Sequence, residues 1–131
     1  MGAWDAKPFG NDSAADWAWE LDESSDWSPV SETLDLALSG GYIDEDDATL
    51  SIAAAEVVAH GLGKPTQSDA YTESVAKFVA RVPAPTRELV EKARDALAAA
   101  TGPQSGLTEL WSESGEADWS QANAKLLAAL S

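Results

Sequence analysis

Glu56 and His60 stand four positions apart in the run Ser51-Ile52-Ala53-Ala54-Ala55-Glu56-Val57-Val58-Ala59-His60. On a helix that spacing puts both side chains on one face. A carboxyl and an imidazole held together can act as a general acid and a general base. The pair also has a structural reading. A carboxylate among alanine, valine and isoleucine must be hydrogen bonded, paired or protonated. Glu56 is equally able to grip backbone N–H groups or an indole, and such networks perturb titration just as catalytic ones do.

A second set, Asp12, Asp16 and Glu20, repeats every four residues, with Asn11 just before it and Glu23 and Asp26 beyond. Like charges at this spacing repel by about 0.2–0.5 kcal/mol per pair in an isolated helix. A divalent cation would relieve that repulsion, because carboxylate oxygens suit calcium or magnesium. Without one, the acids form a solvated face near the positive end of a helix. Asp44-Glu45-Asp46-Asp47 is a third acidic run. It is not an EF-hand: Ala48 and Thr49 follow it, and Ala55 stands where the twelfth-position glutamate belongs. Acids at a helix start explain it.

Much other chemistry is excluded. The sequence has no cysteine and one histidine. A thiol nucleophile, a thiolate zinc site and a site of two imidazoles from one chain are therefore ruled out. A Ser-His-Asp arrangement would have to use His60, and no nucleophile motif accompanies it. Gly61-Leu62-Gly63-Lys64 is too short for a phosphate loop and falls at a helix end. No cofactor motif is present, so no cofactor is expected.

Six tryptophans are many for 131 residues, and Trp4, Trp17, Trp19 and Trp27 crowd the acidic first part. Trp17 falls on an apolar stripe, whereas Trp19 falls on the other side of the same helix. An exposed tryptophan is an interface anchor; the commoner expectation is cover by a neighbouring segment, here residues 1–10. Trp19, Glu20, Glu23, Asp26 and Trp27 together form the candidate interaction face.

The elements that must position these residues are helices. Valine and isoleucine total nine against 25 alanines, a balance that favours helix over strand. No segment alternates apolar and polar residues for long. The first helix is expected to start at Asn11 or Asp12, to bury Ala14, Trp17, Ala18 and Leu21, and to end at Ser24-Ser25-Asp26. The second starts at Ser28-Pro29 and stops at Gly40-Gly41. The third, residues 45–60, is apolar nearly all round, so it is expected at the centre. Further helices are predicted over residues 69–81, 86–100, 105–114 and 118–130. Short connections suit a compact all-α bundle of six to seven helices, with residues 1–131 forming a single domain.

The formal charge of −15 is uneven. Residues 1–50 carry 13 acids and one base, and residues 51–131 carry 10 acids and seven bases. This field disfavours nucleic acid and anionic membranes. No apolar run approaches the roughly 18 residues of a membrane span, and the first residues lack a signal peptide's pattern. A cytoplasmic location is expected. Gly2 opens only a loose match to a myristoylation signal, since Ala6 stands where serine or threonine is wanted.

Gly2-Ala3-Trp4 followed by Phe9-x-Asn11-Asp12-x-Ala14-x-Asp16-Trp17 resembles the N-terminal signature of the bacterial domain of unknown function family 4259. The stretch Ala53-Ala54-Ala55-Glu56-Val57-Val58-Ala59 is similar to that family's central helix. Leu107-x-x-Leu110-Trp111-x-Glu113-Ser114-Gly115, with Trp119 after it, resembles its C-terminal part. At Asp5-Ala6 the sequence departs from a glycine-containing turn frequent in the family. The resemblance implies one domain of about this length and supplies no activity. It points to Trp4, Phe9, Asn11, Asp12, Asp16 and Glu56 as one cluster. In that cluster the N-terminal segment would fold back over the first and central helices, and Glu56 would accept hydrogen bonds from its backbone or from Trp4.

Two functions follow as expectations. One is a non-catalytic, acidic protein-interaction module of inhibitor or immunity type, whose partner is a basic protein. The other is a small-molecule or divalent-cation binding protein, or an enzyme, centred on Glu56 with His60, Asp12 and Asp16. It requires a concave pocket beside Glu56. A stable subunit of a homo-oligomer is a third expectation.

Overall fold

The structure, a computed structural model, describes residue 9 and residues 12–68, 72–114 and 117–130. The side chains of Asp12 and Ser114 lie outside the description, as do Trp4 and Asn11. Among the described residues the fold is all-α. The helices are α1 (Asp12–Ala18), α2 (Ser28–Asp35), α3 (Glu45–Gly61), α4 (Glu73–Arg81), α5 (Arg87–Ala100), α6 (Gly106–Ser114) and α7 (Ala117–Ala129). A 3-10 helix over Trp19–Glu23 continues α1.

Helix α3 is the axis of the bundle and touches each of the other six α helices. Every residue from Ser51 to Ala59 is buried. Their small side chains let neighbours approach from all sides, which is how an all-round apolar helix is accommodated in a small domain. Around it pack Phe9, Leu21, Leu34, Phe78, Leu97 and Leu126, each nearly or wholly removed from solvent.

Local chemistry sets the helix ends. The Thr86 hydroxyl accepts from Leu89 N at 3.1 Å and caps α5. Ser105 does the same for α6, accepting from Leu107 N at 3.2 Å. Asp26 accepts from Ser28 N at 3.0 Å before α2, whose first turn holds Pro29. At the end of α3, Gly63 N donates to His60 O at 3.0 Å and Lys64 N to Ala59 O at 2.9 Å. With Gly63 at φ +76, this is a Schellman closure.

Two expectations need correction. The first helix does not run unbroken to residue 24; it tightens at Trp19, where Arg81 of α4 draws on the carbonyls of Leu21 and Ser24. Helix α2 ends at Asp35, and turns at residues 36–38 replace its predicted last turn. The α2–α3 and α5–α6 connections meet in an isolated parallel bridge between Ile43 and Ser105, which periodicity could not reveal. The start expected for the fourth helix, residues 69–71, lies outside the described residues. No helix among the described residues is long and apolar enough to cross a membrane.

Candidate functional site

The polar centre is built on α3. Glu56 is fully buried. The Schellman turn after α3 reverses the chain and lays residues 64–68 back along the helix. Thr66 N then donates to Glu56 Oε2 at 2.9 Å, and Gln67 N donates to the same oxygen at 3.0 Å. The Thr66 hydroxyl donates to Oε1 at 2.5 Å. His60 Nε2 lies 3.0 Å from Glu56 Oε2 and 2.9 Å from Gln67 O. Both neighbours are acceptors, so Nε2 carries the hydrogen and divides it between them.

Gln67 extends the network to the N-terminal segment. Its side-chain Oε1 accepts from Phe9 N at 2.7 Å, and the Phe9 ring is stacked 6.4 Å from that of Trp17. Phe9 thus meets Gln67 rather than Glu56 itself, and the other residues of the expected N-terminal link, Trp4 among them, lie outside the described residues. The donors on Glu56 come from His60 and from the loop after its own helix. Sequence reasoning missed Thr66 and Gln67, whose loop carries no periodic signal. The only hint was Gly63, a helix-ending glycine that sends the chain back toward Glu56.

The structure thus brings Glu56 and His60 together and joins Phe9 to them. Asp16 stands exposed on α1 and is not drawn into the buried network. Asn11 and the Asp12 side chain fall outside the described residues. Both Glu56 oxygens are occupied, and no group of three or more metal-ligating side chains gathers among the described residues. Chemically this centre is a latch that closes a loop and holds Phe9.

The second assembly is on the surface. Trp19 is 70% exposed; apart from Phe9, the segment expected to cover it, residues 1–10, lies outside the described residues. Glu20, Asp22, Glu23 and Asp26 around it are exposed as well. Beneath them the segment is held firmly. Leu21 is fully buried. The Arg81 guanidinium donates to the Leu21 carbonyl and, from Nε and Nη2, to Ser24 O at 3.2 and 3.0 Å. Its cation lies 5.7 Å from the centre of the Phe78 ring, within cation–π range.

Trp27 is half-buried. Its ring meets Phe78 edge to face at 5.2 Å, and Nε1 donates to Pro83 O at 2.8 Å. Trp27 is therefore a structural wedge between α2 and the α4–α5 connection. The remaining acidic run lies elsewhere: Asp44, Glu45 and Asp46 line an open cleft with Tyr42, Glu109 and Glu113. There the Tyr42 phenol is pushed above its usual value by desolvation, then by a hydrogen bond with Glu109 and the charges of Glu109, Asp44 and Glu45.

A sequence model of the family described as Domain of unknown function (DUF4259) matches residues 2–122. No curated protein and no solved structure matches the chain.

Proposed function

The chain belongs to the DUF4259 family, whose description assigns no activity, and on that premise we propose that it is a non-catalytic protein-interaction module that docks a basic protein through its acidic N-terminal face. One observation carries the reading: Trp19 is 70% exposed, its sequence neighbours Glu20, Asp22 and Glu23 are exposed with it, and Arg81 clamps the segment they share. A large aromatic held in solvent costs hydration free energy, and interfaces are where such residues are repaid by burial. The surrounding charge speeds encounter with a cationic partner and selects against acidic ones. The net −12 of residues 1–50 extends that field. An inhibitor or immunity-type protein neutralising a basic partner would work in this way.

The alternative centred on Glu56 draws less support. That carboxylate is fully buried and saturated with donors, so it has no free oxygen to offer a substrate or a cation.

The test is affinity capture of the tagged chain from host lysate at low salt, followed by a salt gradient. A stoichiometric basic protein is expected, eluting as salt rises. It should be absent when Asp16, Glu20 and Glu23 are all changed to lysine. Retention of the same protein by the lysine variant would remove the acidic face from the account.

A further inference from the structure

Trp19 stands at the join between α1 and the 3-10 helix. Three residues back lies Asp16, and three residues on lies Asp22. Side chains three apart are neighbours on an α helix and eclipse one another on a 3-10 helix. Asp16, Trp19 and Asp22 therefore form one row, with a carboxylate one turn to either side of the indole. All three are exposed, and Trp19 is 70% exposed. The two acids are about 10 Å apart along the axis, at roughly 1.5 Å per residue of α helix and 2.0 Å per residue of 3-10 helix.

The row is fixed in place without being neutralised. Arg81, which clamps the segment, spends its donors on the carbonyls of Leu21 and Ser24 and lays its cation against Phe78. Among the described residues neither Asp16 nor Asp22 is in an ion pair. Asp22 accepts one long hydrogen bond, from the Ser74 hydroxyl at 3.4 Å.

We propose that this row is a seat for an arginine side chain of the partner, an inference that rests on the docking of a basic protein proposed above. Indole offers a cation the best of the aromatic faces. A guanidinium is planar, so it lies flat on the ring and directs N–H groups outward, toward carboxylates on both sides. An ammonium is a compact point charge, unable to stack on the ring and extend toward both acids at once. It is also the more strongly hydrated of the two, so it loses more on burial against the indole. An inorganic cation fits less well: no group of three or more acidic or imidazole side chains placed to hold a metal ion is found among the described residues.

The test is an NMR titration of the full-length, 15N-labelled protein at low salt. Two capped pentapeptides are the probes, one with two arginines among glycines, the other with lysines in place of the arginines. Their charges are equal, so attraction to the acidic face is the same and only the head group differs. Saturable shifts of the Trp19 indole N–H are expected with both, the arginine peptide binding about three- to fivefold more tightly. The preference should vanish in Trp19→Ala, followed at the Glu20 and Asp22 amides, and should narrow in Asp22→Asn. Both variants change exposed side chains and should fold as the parent does. Equal affinities for the two peptides, or an arginine preference that survives Trp19→Ala or is unchanged in Asp22→Asn, would overturn the arginine seat. So would the absence of saturable shifts at Trp19 with either peptide. The docking face itself is judged separately, by whether the lysine variant of Asp16, Glu20 and Glu23 loses the captured protein.

Discussion

Removing Glu56 would strip a buried network of its acceptor. Three donors from Thr66 and Gln67, together with His60, converge on its carboxylate. Hydrogen bonds to a charged acceptor are worth about 1.5–3 kcal/mol each, and a donor left buried without a partner costs about 1–3. Effects within one network are not additive. Glu56→Ala should lower unfolding free energy by about 3–5 kcal/mol in urea denaturation. Glu56→Gln keeps the shape but turns an N–H₂ toward the donors, and about 1–3 kcal/mol should be lost. Equal stability of Glu56→Ala and the parent would mean that the latch contributes nothing. The need for a satisfied carboxylate was legible in the sequence, because Glu56 sits in an unbroken apolar run. Its partners were not, since Thr66 and Gln67 lie in a loop whose path depends on the turn at Gly63.

Tyr42 gives a second test at the same scale. Its phenol is raised by desolvation, by the Glu109 hydrogen bond and by nearby carboxylates. A group that holds its proton more tightly in the folded state favours folding below its unfolded value, and that contribution is lost as pH rises through the folded value. Tyrosinate absorbance in Glu109→Gln should therefore appear at lower pH than in the parent. The midpoint should stay fixed if Glu109 has no influence.

At the scale of elements, the closure of α3 decides where residues 64–68 go. Gly63 adopts φ +76, a conformation that costs an L residue about 1–2 kcal/mol. Gly63→Ala should lose about that much stability by denaturant titration. Gly61, the last residue of α3, serves through close approach: an added Cβ would lie 2.9 Å from both Pro85 Cδ and Trp27 Cη2. Gly61→Ala should cost about 1–3 kcal/mol as overpacking and should shift the fluorescence of Trp27. Unchanged fluorescence would separate Trp27 from that contact. The central position of α3 was readable from its unbroken apolarity. The break between α1 and the 3-10 helix was not, because it depends on Arg81, some 60 positions along the chain. The contacts of Trp27 were not readable for the same reason. Its partners Phe78 and Pro83 are remote in sequence, and tryptophan on a helix flank carries no sign of which side it buries.

For the whole molecule, the sequence shows a charge excess concentrated in residues 1–50, while the structure shows where an aromatic stands within it. Composition reveals the field, and helical spacing sets Trp17 and Trp19 on opposite sides; packing decides that Trp19 stays exposed while Trp17 is buried. The central claim is that this face engages a basic protein through Trp19. The most direct measurement replaces Trp19 with a photo-crosslinking benzoylphenylalanine and, in a matched protein, replaces exposed Arg94 on α5. Both are irradiated in host lysate at low salt. The account predicts one covalent adduct with a basic protein from position 19, suppressed by salt, and none from position 94. The same adduct from both positions, or none from position 19 in a folded protein, would contradict it.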